Sequence, residues 1–227
     1  MWGGQPTTTG EERLRAAAAN GDLLAAETEL ATGANVNAGD ECGKTALHFA
    51  IAYNNLRLAQ LLLGQGAEVD PRAHNGETPL HYAARASNAT AVDLLTSQGT
   101  NVNAQDAHGL TPLHHADSCD ILRVLVDKGG DINARSRDGR TPLHCAVWSK
   151  DIESAAFLIE RGATVNAKDK DGLIPLDTAI RDAHGRHNSP MVELLRKAAI
   201  AENHASHARR IGDQREREID RSLGEAI

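Results

Sequence analysis

Aromatic side chains are scarce in this 227-residue chain: two Trp, two Tyr and two Phe, 3% in all. A single large core of this size would normally draw on more of them. Ala, Leu and 20 Gly are abundant instead, a composition that suits small-residue helix packing repeated along a line. Positive charge is also short, with a net charge of −7 and a pI near 5.9, which excludes nonspecific attraction to nucleic acid or anionic membrane. Only three cysteines occur, Cys42, Cys119 and Cys145; an odd number at no metal-ligand spacing reads as free thiols in a reducing compartment. No run of 18 apolar residues is found, and the opening MWGGQPTTTGEERLR lacks a basic stretch followed by an apolar one. These absences lead to the expectation of a soluble cytoplasmic protein, with nucleus or host cytosol left open.

What the chain does have is a beat. TALH at Thr45–His48 returns as TPLH at Thr78–His81, Thr111–His114 and Thr141–His144, then as degenerate IPLD at Ile174–Asp177, in steps of 33, 33, 30 and 33. A second phrase keeps the same time: Val36-Asn37, Val69-Asp70, Val102-Asn103, Ile132-Asn133 and Val165-Asn166. Two independent markers in phase define a true repeat. Thr before Pro is a helix N-cap followed by a residue whose missing N–H costs nothing at the first helical position. The run LRLAQLLLGQGAEVD, residues 56–70, carries apolar side chains at helical spacing and then Gly66, placed to end a second helix in the left-handed conformation. Gly33, Gly99, Gly129 and Gly162 stand at the matching places, and each is followed by an Asp/Asn/Gly-rich tip closing on Gly43, Gly76, Gly109, Gly139 or Gly172.

The period and the TPLH phrase resemble the ankyrin-repeat family over roughly residues 11–198. The resemblance implies an α-solenoid of stacked helix pairs with β-hairpin fingers. We read six repeats including caps: residues 10–38 as the N-terminal cap, then 39–71, 72–104, a shortened 105–134, 135–167, and 168–198 as a C-terminal cap with extra residues in its turn. Residues 1–9 read as a disordered N-terminus and 199–227 as a charged helical or disordered tail. No unit of this kind buries its apolar face alone, so neighbours must stack.

The 30-residue step removes the end of the first helix and the turn, leaving Asp117 or Ser118 to cap the second helix. Two readings stay open: tolerated loop variation, or a notch in the concave wall that admits a partner's side chain.

The eleven histidines invite a metal reading. His48, His81, His114 and His144 hold the phrase position, where a buried imidazole is expected to bond backbone of neighbouring turns. The pairs His184/His187 and His204/His207 have helical HxxH spacing but no third ligand at a recognisable distance. No nucleophile elbow or Gly-rich phosphate loop occurs, and neither Cys119 nor Cys145 has an acid or base beyond the repeat histidines. The expectation is a non-enzymatic protein with no cofactor, no metal and no small-molecule substrate.

In the resembled family the finger tips and the ends of the first helices bind partners. Carried over position by position, this puts His74, Glu77, His108, Leu110, Arg135, Arg137, Arg140 and Lys170 on the fingers, with Tyr53, Arg85 and Trp148 at helix ends. Tyr, Arg and Trp dominate binding hot spots, although Trp148 could instead pack over the notch. The finger at residues 134–140 carries +2, where the others carry −1 or 0. The expected partner is another protein with an acidic or mixed-charge epitope, which makes the chain an adaptor or scaffold module. Two alternatives stand beside it: a subunit of a larger assembly docked through its C-terminal helix, and a microbial or viral effector acting on a host protein. The last 27 residues hold 11 charges and one apolar stripe, Ile219, Leu223 and Ile227.

Overall fold

The computed structural model describes residues 8–182 and 189–205. The HxxH pair at 184/187, His207 and the stripe at 219, 223 and 227 lie outside these residues, as do most of the extra turn residues of the last unit.

Helices follow one another in pairs: α1 (Gly10–Asn20) and α2 (Leu23–Ala31), α3 (Ala46–Ala52) and α4 (Leu56–Gly64), α5 (Pro79–Arg85) and α6 (Ala89–Ser97), α7 (Pro112–His115) and α8 (Cys119–Asp127), α9 (Pro142–Trp148) and α10 (Ile152–Glu160). Then come α11 (Pro175–Asp182) and helical backbone over 190–205. The first helices stack as one layer, α1 on α3, α5, α7, α9 and α11; the second helices stack as another, α2 through α10. Between the layers Leu47, Leu80, Leu113 and Leu143 meet Leu62, Leu95, Leu125 and Leu158, all buried. The core is a line of aliphatic rungs, consistent with the shortage of aromatics.

Local chemistry sets the boundaries. Thr45, Thr78, Thr111 and Thr141 are extended residues at the N-caps of α3, α5, α7 and α9, and proline fills the next position in the last three. Asp22, Asn88, Ser118 and Asp151 cap second helices with their side-chain oxygens. Gly66 and its counterparts lie at positive φ after those helices, and Gly76 and Gly109 show why the tips need glycine twice over. A Cβ on Gly76 would come within 2.7 Å of the Ala107 nitrogen, and one on Gly109 within 2.8 Å of the Arg137 nitrogen of the next tip.

The tips differ from the expected hairpins: no strand forms among the described residues. Each tip is a turn, closed at the first by Asp40 N–H to the Lys44 carbonyl at 2.9 Å and by the Asp40 carboxylate accepting from the Cys42 and Lys44 N–H groups. Its arms are too short for a ladder. The pairing goes sideways instead, from His74 N–H to Cys42, Ala107 to Asn75, Arg137 to His108 and Lys170 to Asp138, at 2.7–2.8 Å.

Two side-chain ladders tie one unit to the next. His48, His81, His114 and His144 each accept at Nδ1 from the N–H of their own capping Thr at 3.1 Å. That acceptance places the proton on Nε2, which donates to the carbonyls of Glu77, Leu110, Arg140 and Leu173, each the residue before the next cap. In the last unit Asp177 stands where the histidine would be. Its carboxylate still accepts from Ile174 N–H at 3.0 Å, and it has no donor to pass onward.

In the second ladder Asn37, Asn103 and Asn133 donate to the carbonyls of Gly66, Gly129 and Gly162 and accept from an N–H two residues beyond each glycine. Asp70 breaks the series because a carboxylate has nothing to donate. Thr100 compensates: standing where Ala67 and Ala163 stand, it donates its hydroxyl to Asp70, while Asn101 N–H donates to the other oxygen at 2.8 Å. At the far end Asn166 bonds the Glu202 carboxylate at 2.9 Å. The helix through 205 thus crosses the boundary read at 198 and closes the ladder.

The shortened unit loses its turn. Other units pass from first to second helix through a left-handed residue, Gly21, Asn54, Ser87 or Lys150; the deletion removes this residue, cuts α7 to four residues, and sends extended Ala116 directly toward the Ser118 cap. The space at Gly130 is closed, since a Cβ there would lie 2.9 Å from the Leu125 carbonyl oxygen. The glycine therefore does not leave a gap where other units carry Ala34, Ala67, Thr100 or Ala163.

Candidate protein-interaction surface

Three positions in each unit share the face formed by the tips and the first-helix layer. The residue before the capping Thr gives the row Lys44, Glu77, Leu110, Arg140 and Leu173. Four residues after the cap come Phe49, Tyr82, His115, Cys145 and Thr178. Seven after it come Ala52, Arg85, Trp148 and Arg181, with the shortened unit's place lost to the deletion.

In the first half of the chain these rows are filled and cross-linked. Tyr82 sits under two cations, the Lys44 ammonium and the Arg85 guanidinium, each 5.4 Å from its ring centre, and meets the His48 ring edge-on. Arg85 is ion-paired to Glu77, whose second oxygen accepts from Asn75 at 2.9 Å. Burial alone would raise the Glu77 pKa, but Asn75 and Arg85 outweigh it and hold the carboxyl below its usual range. Arg85 also approaches His115 Nδ1 at 3.3 Å, and His115 Nε2 lies 3.1 Å from an Asp106 carboxylate oxygen. Asp106 is buried too, and its pKa is held low because His115 and the N–H groups of Leu110 and His108 overcome its desolvation.

Glu77, Asp106 and His115 present ligand-type atoms within 4.8 Å of one another. The Arg85 guanidinium already supplies the cation this trio faces, and each member has a protein partner. The arrangement is a closed charge network.

The second half is different. Arg140 lies 6.0 Å over the Trp148 ring, and Trp148 is 61% exposed. Cys145 lies beneath them, its thiol pushed up to about 11 by burial, so it stays protonated. A cleft of about 280 Å³ opens between Arg140, Trp148 and Cys145 on one side and Asp171, Thr178 and Arg181 on the other. A smaller one of about 150 Å³ occupies the place of the deleted turn, lined by Leu113, Ala116, Asp117, Leu122, Cys145 and Ser149 among others. A hollow thus stands where the sequence left a notch as one of two readings. Trp148 does not cover it; the indole borders the neighbouring cleft.

The remaining candidates are dispersed. Tyr53 is 62% exposed at the end of α3. His74, His108 and Arg137 are exposed on their tips, and Leu110 is half-buried. Arg135 donates to the Lys168 carbonyl, and Lys170 pairs with Asp138 at 2.7 Å, so both brace adjacent tips. Glu77 is buried, not presented, and Arg85 is bound to it. Sequence reading passed over Tyr82, Asp106, His115, Cys145, Thr178 and Arg181. The signal for Tyr82, His115, Cys145 and Thr178 was the row four residues after each cap, where rings give way to small residues, and for Arg181 the row seven after it.

A sequence profile described as ankyrin repeats (3 copies) matches residues 14–106 and again 98–169. The matches span more than half of the chain, which belongs to the ankyrin-repeat family. Such repeats are generally protein–protein interaction modules. No curated protein matches the chain. Among the described residues no helix is long and apolar enough to cross a membrane.

Proposed function

We propose that the chain is a six-repeat, non-enzymatic adaptor that binds another protein through the tips and first-helix ends of its fourth to sixth units, with the N-terminal units as a rigid base. Recognition is by a preformed surface, which limits the ordering cost of association. The observation that carries this reading is the contrast within one face: the rows are filled and internally paired at Tyr82, Glu77, Arg85 and Asp106, and open at Trp148, Arg140 and Cys145. An exposed indole beside arginine is the chemistry of a binding hot spot. Arg135, Arg137 and Arg140 favour a partner epitope that is acidic or of mixed charge. Intracellular, cytoplasmic residence fits the unpaired Cys42, Cys119 and Cys145.

Affinity capture with the intact chain against a Trp148→Ala, Arg137→Gln, Arg140→Gln variant tests the reading. A partner held by the parent chain and lost by the equally folded variant supports it. Capture of the same set by both removes it.

A further inference from the structure

The last helix overruns its predecessors. Each second helix from α2 to α10 has nine residues and is followed two residues later by a left-handed glycine, Gly162 in the case of α10. The last one runs from 190 through 205, and the next glycine is Gly212. Its overrun forms one wall of a groove of about 470 Å³, with Ala198, Ala201 and Ala205 on the helix facing Ile159, Ala163 and Val165 of the fifth unit. In the interior units the next unit's post-helix segment crosses this place, held by the asparagine ladder. Here Asn166 takes Glu202 of the helix instead, and the space beside the exposed Ala201 and Ala205 is left open.

The sequence that follows supplies an occupant of matching length. Gly212 is the residue type that ends a helix, and Asp213 with Glu216 three positions on is the pattern of a capping box that starts another. Eight of the fifteen residues 213–227 are charged, so Ile219, Leu223 and Ile227, at four-residue steps, are the one aliphatic face of a helix there. Counted from Gly212, Ile219 and Ala205 each lie seven residues away, Leu223 and Ala201 eleven, Ile227 and Ala198 fifteen and fourteen. Two antiparallel helices joined at a short turn rise equally per residue, so a reversal at Gly212 sets each aliphatic side chain against the alanine at its own distance. Large against small is the pairing that lets facing helices interdigitate. Docking on a second copy or on another protein would not require the two stripes to be equidistant from one glycine.

We propose that residues 213–227 return antiparallel from Gly212 and seat Ile219, Leu223 and Ile227 in this groove, so that the chain closes the C-terminal end of its own solenoid. A segment this short and this charged gains its helix from the packing, not from propensity. The closed end is then barred to a further unit or a second copy, and the reading of the chain as an assembly subunit docked through its C-terminal helix loses that helix.

The full chain tests this without a partner. Leu223→Asp puts a charge on the stripe, whereas Arg221→Asp makes a larger change of charge on the opposite side of the same helix. Leu223→Asp should lower the Tm and speed hydrogen exchange of the amides in 198–205 at least tenfold, with Arg221→Asp changing neither. In a Cys42→Ser background, Ala201→Cys with Leu223→Cys should close a disulfide within one chain, and Ala201→Cys with Arg221→Cys should not. Sedimentation should show a monomer before and after oxidation. Exchange and Tm unmoved by Leu223→Asp would overturn the proposal and leave the stripe to a separate partner. A disulfide between two chains, or a dimer that Leu223→Asp dissociates, would overturn it in favour of a second copy. Equal cross-linking from positions 221 and 223 would show that no fixed face is docked, and would overturn it as well.

Discussion

His81 joins two units with one ring: Nδ1 accepts from the N–H of Thr78 at 3.1 Å and Nε2 donates to the carbonyl of Leu110 at 3.1 Å. Both bonds require the neutral imidazole in one tautomer, and the same arrangement recurs at His48, His114 and His144. Burial, and after it the neighbouring His115, places the pKa of His81 and His114 at about 4, and burial moves those of His48 and His144 in the same direction.

The ladder makes stability depend on pH with a definite sign. Below about pH 6.5 the unfolded chain takes up protons at these histidines that the native chain refuses. The stabilisation is complete above about pH 6.5 and is lost progressively toward about pH 4, on the order of 3 kcal/mol each for His81 and His114. Urea midpoints should fall steadily from pH 7 to pH 4.5, and His81→Gln should flatten that slope while lowering the midpoint at pH 7. A parent profile flat across the interval would contradict the ladder.

Leu143 is fully buried in α9, between the layers and next to both neighbouring units. Leu143→Ala removes its contacts and leaves a cavity, which should cost about 2 to 5 kcal/mol. Chemical denaturation measures this directly, and an unchanged midpoint would show that the core lies elsewhere.

Asp70 and Thr100 should behave as a coupled pair. With Asp70 present, Thr100→Ala strips a part-buried carboxylate oxygen of its donor and should cost about 1 kcal/mol. In an Asp70→Asn background the asparagine amide reaches the Gly99 carbonyl as Asn37 reaches Gly66, and the same Thr100→Ala change should cost close to nothing. A double-mutant cycle of denaturation midpoints checks the pair; additive effects would break the compensation.

The shortened unit should be the least protected of the internal ones. α7 has four residues where α3, α5 and α9 have seven, and the space of the missing turn stands open beside it. Hydrogen exchange in residues 111–126 should therefore exceed that of the corresponding segments of the units on either side. Uniform protection would mean that the deletion is energetically silent.

Much of the frame was legible in the sequence because it rests on local rules. Thr-Pro marks a cap, Gly66 and its counterparts mark a left-handed stop, and a 33-residue beat marks stacking. The 30-residue step located a short first helix and left Asp117 or Ser118 as the cap of the second, of which the structure uses Ser118. Less of the surface was legible, because it depends on what stands across from a residue in the next unit. Glu77 reads as a finger residue, yet it is buried by Tyr82 and Arg85, whose approach no spacing reveals. Cys145 reads as a free thiol with no catalytic partner, and its place in the lining of a cleft with Thr178 depends on the stacking of two units. The strands of the expected hairpins do not form among the described residues for a simpler reason: each tip has room for a turn closed by one backbone bond and for bonds to its neighbour.

Binding through the tips and first helices of the later units is the central claim, and hydrogen exchange of the chain alone and in complex with its captured partner tests it most directly. The account predicts new protection in residues 135–149 and 168–181, with the outer helices α8 and α10 exchanging as before. Protection gained on α8 and α10 while α9 and the tips stay unchanged would contradict it.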